Sequence, residues 1–220
     1  MELYHYLHCP YCIRIRMAWG YLGVNYKSIV LGYSDEKTPI ELMGKKMLPI
    51  ARLADGRIMN ESLDIIAATD VGNRLDLRGF TGSVRQAQIE AELNALSKPL
   101  FNLCMPFFAL SAEFGPEDRT YFVEKKSKTR GPFSELLKNR SKFETEIAPL
   151  LKLIEAKISS YYQSPILRIE DILIASHLWG LYMVPEFRLS DVMHQYLQRV
   201  KLECHFDPWL EYGAFFNVSS

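Results

Sequence analysis

The stretch Leu3-Tyr4-His5-Tyr6-Leu7-His8-Cys9-Pro10-Tyr11-Cys12-Ile13-Arg14-Ile15-Arg16-Met17-Ala18-Trp19 decides how this chain is read. A run of strand formers meets two cysteines separated by two residues, and a helical pattern follows at once. A cysteine at such a junction takes the N-cap position, where unpaired N–H groups and the positive end of the helix dipole favour a thiolate. Cys9 is therefore the expected nucleophile, and Cys12, one turn further in, the shielded resolving thiol. Pro10 suits the first helical position, because an N–H there has no intrahelical partner to lose. Arg14 and Arg16 are near in sequence, but their helical directions place them on the surface and outside the site. A zinc site needs four ligands, and Cys104 and Cys204 lack the paired spacing that would supply them. A structural disulfide across so small a loop removes little chain entropy. Redox chemistry without a metal is the expectation, with Cys104 and Cys204 as small buried apolar residues.

Working outward, Glu2 to Leu7 is expected as a strand, Pro10 to Leu22 as a helix ended by Gly23, and Val24 to Leu31 as a second strand. A short helix around Pro39 to Met43 stops at Gly44. Leu48 to Leu53 and Arg57 to Met59 flank the turn Ala54-Asp55-Gly56 as a hairpin would. Ser62 is expected to cap a closing helix running to about Val71. The order βαβ, α, ββ, α is that of an α/β thioredoxin-like domain, assigned to residues 1–72. Turn formers between Gly72 and Gly82 place a linker at 73–83. From 84 to 220 the pattern is all-α, a helical bundle. Its helices are expected at Val84 to Cys104, Glu117 to Lys128, Ser134 to Tyr162 (kinked or divided near Pro149), Asp171 to Met183 and Leu189 to Glu203, followed by an aromatic tail from Phe206 through Trp209 to Phe216.

The 220 residues carry 26 Lys+Arg against 26 Asp+Glu, and 48% are hydrophobic, enough to bury a sizeable core. A net charge of zero gives no electrostatic preference for nucleic acid or an anionic membrane. The basic run Lys125-Lys126-Ser127-Lys128-Thr129-Arg130 is expected as a solvated helix end before Gly131-Pro132, with docking of acidic partners as the lesser alternative. No leader pattern and no spanning apolar stretch is present, and four cysteines in so long a chain do not make a secreted disulfide framework. A cytoplasmic protein is expected.

Cys9-Pro10-Tyr11-Cys12 resembles the glutaredoxin active site, Leu48-Pro49-Ile50 the cis-proline segment of thioredoxin-like folds, and Glu61-Ser62 the glutathione-binding dipeptide of glutathione transferases. Together with Gly44-Lys45-Lys46-Met47 and Leu63-Asp64-Ile65 they resemble the two-domain bacterial glutaredoxins of the glutaredoxin 2 type. The resemblance is motif-specific over the first domain and rests on the order and length of helices over the second. It implies a glutathione-transferase-like architecture and a glutathione-dependent thiol–disulfide oxidoreductase. Such an enzyme uses glutathione as cosubstrate with no tightly bound cofactor, acts on glutathionylated or disulfide-containing proteins, and is a monomer. Leu48 beside a cis Pro49 would offer its backbone to the cysteinyl unit of glutathione. Ser62 and its helix N-terminus would take the γ-glutamyl carboxylate, Glu61 the ammonium, Lys46 the glycyl carboxylate, and Tyr11 would lie over the sulfur. One departure stands out: transferase-like folds carry Ser or Thr three residues ahead of the buried-helix Asp, and here Arg168 precedes Asp171. A transferase conjugating electrophiles and a non-catalytic transferase-like interaction protein are the alternatives, and the second cysteine argues against both.

Overall fold

The computed structural model describes residues 1–206, so the aromatic segment beyond Phe206 lies outside the described residues. The first part contains β1 (Glu2–His5), α1 (Pro10–Leu22), β2 (Lys27–Val30), α2 (Lys37–Met43), β3 (Ile50–Arg52), β4 (Ile58–Met59) and α3 (Ser62–Thr69). The strands form one sheet in the order β2-β1-β3-β4. β1 runs parallel to β2 and antiparallel to β3, with Tyr4 opposite Ile29 on one side and Ile50 on the other. The second strand is shorter than the sequence suggests: only four residues pair, largely exposed, at the sheet edge.

The helices of the second part are α4 (Leu77–Phe80), α5 (Val84–Phe108), α6 (Pro116–Arg130), α7 (Phe133–Lys138), α8 (Arg140–Glu155), α9 (Ile169–Leu178) and α10 (Asp191–Glu203). The architecture is the expected one, a small thioredoxin-like domain joined to a helical one. Residues 73–83 are not an open tether. They contain α4, bury Leu75, Leu77 and Phe80, and are tied by the Asp70 carboxylate, which accepts from the N–H groups of Arg74 and Leu75, both at 2.8 Å.

The expected helix from Ser134 to Tyr162 divides at Asn139 instead of Pro149. The Asn139 side-chain amide donates to the Glu135 carbonyl at 2.8 Å, ending one helix where the next begins, whereas Pro149 lies inside α8. That helix ends at Glu155, well short of Tyr162. The apolar segment expected as one helix to Met183 is α-helical only to Leu178 and tightens into a 3₁₀ turn over Trp179–Met183. There Gly180 lies so close to the Phe108 ring that a β-carbon would come within 2.7 Å of it.

The departure at Arg168 is compensated locally. Asp171, fully buried, accepts from the Arg168 N–H at 2.9 Å, as a capping carboxylate does, and from the Tyr162 N–H and Tyr196 hydroxyl, each at 2.8 Å. Three donors offset the cost of burying one carboxyl.

Helix α1 has no solvent face over most of its length. Every residue from Cys12 to Trp19 is buried, because α3 covers one side and α9 the other. Gly20 completes this fit, since a β-carbon there would overlap the Cys204 backbone carbonyl at the end of α10. Among the described residues, no helix is long and apolar enough to cross a membrane.

Candidate active site

β1 delivers the chain to the start of α1, and Cys9 sits at the N-cap in extended conformation with Pro10 as the first helical residue. Its carbonyl accepts from the N–H groups of Cys12 and Ile13 at 3.0 and 2.9 Å, which fixes the turn. Cys9 is half-buried and Cys12 fully buried. The two thiols are driven apart in acidity. Cys9 is lowered chiefly by the hydrogen bond from the Cys12 thiol, with the charge on His8 and the backbone N–H groups of Cys12 and Tyr11 adding to it against the opposing effect of burial. Burial, and then its role as donor to Cys9, push Cys12 up. The thiolate is thus favoured at Cys9 and the protonated thiol at Cys12.

The loop that carries Cys9 is held from the second domain. Glu113, between α5 and α6, accepts from the N–H of Leu7 at 2.7 Å, the N–H of His8 at 3.1 Å and His8 Nδ1 at 2.8 Å. The pair is buried among the rings of Phe108, Phe114 and Phe122. A second tie lies nearby, where the Asp118 carboxylate accepts from both the N–H and the hydroxyl of Ser34 at 2.7 Å. Sequence reasoning missed Glu113, for nothing in its local pattern marks it.

Cys9 opens into a cavity of about 330 Å³ between the domains, whose walls include Tyr11, Leu48 and Phe101. Tyr11 and Leu48 also border a cleft of about 620 Å³ that runs along the first domain past Arg14, Pro49, Asn60, Glu61 and Ser62. The Leu48–Pro49 bond is cis, as expected. Tyr11, 49% exposed, stands at the mouth shared by both spaces.

Three expectations need correction. Arg14 and Arg16 are buried, 7% and 5% exposed, because α1 is covered on both sides. Arg14 borders the cleft, stacks 4.9 Å from the Tyr11 ring centroid and donates from Nη1 to Ser62 Oγ at 3.0 Å. Burial pushes its pKa down to about 10. Second, Ser62 is not the cap of α3. Glu61 holds that position, exposed and extended, while Ser62 is the first helical residue with its hydroxyl engaged by Arg14. Third, Lys46 turns away from the cleft, donating to the Tyr33 carbonyl at 2.7 Å and lying 3.9 Å from the Tyr121 ring centroid and 3.6 Å from Glu36.

Two buried donors border the cleft without a partner among the described residues, Arg14 Nε and Asn60 Nδ2. An unpaired guanidinium nitrogen beside a pocket is a waiting half of an ion pair. Cys104 and Cys204 are fully buried thiols whose acidity burial suppresses, as expected of packing residues. Among the described residues, no group of three or more His, Cys, Asp or Glu side chains is placed to hold a metal ion.

An extended cysteine at a helix start, a cis-proline across from it and a helical domain closing over both make the two-domain, thioredoxin-like architecture of the glutathione-transferase fold. The family described as glutathione S-transferase, N-terminal domain, matches residues 3–70. The family described as glutaredoxin 2, C terminal domain, matches residues 88–205, more than half of the chain, and the protein belongs to that family. Glutaredoxin 2 of Escherichia coli K12 is 39% identical over 140 residues, a stretch covering 62% of this chain and 64% of that one. The crystal structure of glutaredoxin 2 from Salmonella typhimurium in complex with glutathione superimposes with a TM-score of 0.83 at 28% identity, covering 96% of this chain and 97% of that one. A glutathione transferase Omega 3C from Trametes versicolor shares the fold, with a TM-score of 0.56 at 16% identity over 94% of this chain and 89% of its own.

Proposed function

We propose that the protein is a glutathione-dependent thiol–disulfide oxidoreductase that reduces glutathione mixed disulfides and protein disulfides through Cys9 and Cys12. The observation that carries this reading is the placement of the two thiols, Cys9 at a helix N-terminus on the wall of a cavity and Cys12 fully buried behind it, an arrangement that favours the thiolate at Cys9 and the thiol at Cys12. The Cys9 thiolate attacks the glutathione sulfur of a mixed disulfide. The substrate sulfur leaves as a thiolate and takes a proton, and Cys9 is left bonded to glutathione. A second glutathione thiolate then attacks the glutathione sulfur of that intermediate, releasing oxidised glutathione and the Cys9 thiolate. In the dithiol route the Cys12 sulfur, deprotonated, attacks Cys9 and expels glutathione, and two further glutathione molecules reduce the resulting Cys9–Cys12 disulfide. Glutathione is a cosubstrate throughout, with no tightly bound cofactor.

In this reading glutathione lies along the cleft with its γ-glutamyl carboxylate on Arg14 and Ser62, its ammonium on Glu61, and its cysteinyl backbone along Leu48 under Tyr11. Replacing Arg14 by Gln removes a charge-assisted contact, so the KM for glutathione mixed disulfides is expected to rise about tenfold, with a smaller change in the rate of Cys9 alkylation. An unaltered KM would place the tripeptide elsewhere. The proposal includes a cytosolic protein acting on glutathionylated or disulfide-containing proteins, supported by cysteines without a secreted framework, and a monomeric state, which rests on the likeness to glutaredoxin 2. It is tested by following reduction of the hydroxyethyl disulfide–glutathione mixed disulfide alongside conjugation of chlorodinitrobenzene: rapid reduction with negligible conjugation is expected, and the reverse would make the protein a transferase.

A further inference from the structure

The Cys9 cavity continues along the second domain into a hollow of about 510 Å³, the two sharing Ser97 and Arg130. The hollow is lined by polar side chains throughout, with Lys98 and Thr129 among them, and Lys126 stands on the wall of the Cys9 cavity itself. Among the described residues, no carboxylate lines either space. Lys126 and Arg130 are half-buried, and among the described residues neither they nor Lys98 has a carboxylate within ion-pair distance. Arg130 is oriented rather than loose, donating from Nη1 to the buried Asn102 Oδ1 at 2.9 Å with its guanidinium over the Phe101 ring. Burial lowers the pKa of both Lys126 and Arg130, so the folded protein carries an electrostatic cost there that its own acids do not offset. The Cys9 thiolate faces Lys126, but Arg130 and Lys98 extend the positive strip beyond the sulfur's reach.

The geometry points to an anion subsite, built by Arg130 and Lys98 with Lys126 at its Cys9 end, that binds an acidic side chain flanking the disulfide cysteine of a peptide or protein substrate. This rests on the oxidoreductase reading and adds to it the class of partner preferred. Glutathione occupies the opposite cleft, past Arg14 and Ser62, so the leaving half of a mixed disulfide projects toward the second domain and its positive strip. A carboxylate one or two residues from the cysteine meets Arg130 as a charge-assisted pair partly shielded from solvent.

The test uses the full chain with two glutathionylated peptides that differ only in carrying Asp and Glu, or Asn and Gln, beside the cysteine, and the hydroxyethyl–glutathione disulfide as a third substrate. At low ionic strength kcat/KM is expected to be about tenfold higher for the acidic peptide, an advantage that shrinks with added salt. Arg130→Gln combined with Lys98→Gln should erase the advantage and leave turnover of the hydroxyethyl substrate unchanged; the exposed Lys98→Glu alone, safe for folding, should reduce it. No preference in the native protein, or a preference that survives both variants, overturns the subsite. An equal loss on all three substrates also overturns it, assigning Arg130 to glutathione's own carboxylate. Absence of hydroxyethyl turnover in the native protein sinks the oxidoreductase reading instead. In that case equilibrium binding of the two peptides to Cys9→Ser protein still decides the subsite, a tighter acidic peptide supporting it and equal affinities refuting it.

Discussion

Cys9→Ser abolishes reduction of glutathione mixed disulfides, by at least about a thousandfold, because a serine hydroxyl has no accessible oxyanion form and forms no mixed disulfide. Cys12→Ser retains most of that activity, since a second glutathione replaces the resolving thiol. The hydrogen bond from Cys12 sharpens the test. It is the largest cause of the lowered Cys9 pKa, so Cys12→Ser, which keeps a donor, and Cys12→Ala, which does not, separate the two roles of that residue. In the native protein, alkylation by iodoacetamide is expected to reach half its maximal rate well below the pH needed for a free cysteine, whose pKa is about 8.5. The midpoint stays low in Cys12→Ser and climbs in Cys12→Ala. Substantial turnover by Cys9→Ser would remove the residue from the role of nucleophile, and identical midpoints in the two Cys12 variants would place the cause elsewhere, at the helix terminus or His8.

Gly20→Ala is expected to destabilise the protein strongly. Alanine in a helix interior is normally favoured over glycine by about 1 kcal/mol. Here the added methyl would overlap the Cys204 carbonyl, a backbone atom that moves only if the end of α10 moves with it. Overpacking costs about 1–3 kcal/mol even where side chains can yield, and a backbone obstacle sits at the upper end of that range. The overlap outweighs the propensity, for a net loss of about 2 kcal/mol, read as a lower denaturant midpoint at unchanged slope. An unchanged or raised midpoint would show that α1 and the end of α10 are not in contact in solution.

Legibility in the sequence followed the range of the interactions involved. The bounds of α1 were readable because Cys9, Pro10 and Gly23 act within a single turn, and Gly23 adopts the left-handed conformation that ends the helix. The hairpin and the cis-proline segment were readable for the same reason. Arg14 was misplaced because helix periodicity assumes one solvent face, and α1, covered by α3 and α9, has none between Cys12 and Trp19. Ser62 looked like a cap by residue type, but the arginine a helix away claims its hydroxyl. Asn139 was legible in principle as a helix stop, yet Pro149 is the louder local signal, and α8 carries it without interruption. Glu113 had no local signal at all, since its meaning lies entirely in the backbone it meets.

That meeting has a consequence for how this protein can be divided. The N–H groups of Leu7 and His8, immediately before Cys9, are held by a carboxylate 106 and 105 positions downstream. Residues 1–72 contain Cys9, Cys12 and the whole sheet, and look like a self-sufficient cassette. Cut free, they would carry two bare backbone donors beside Cys9 and lose the cover of α9 over α1. The redox half is therefore not portable: grafting it onto another protein would transplant the motif and leave behind the carboxylate that sets its shape. Recombination, in evolution or in the laboratory, must move both halves together, and a swapped helical domain preserves the chemistry only if it brings an acidic side chain to the place Glu113 now fills.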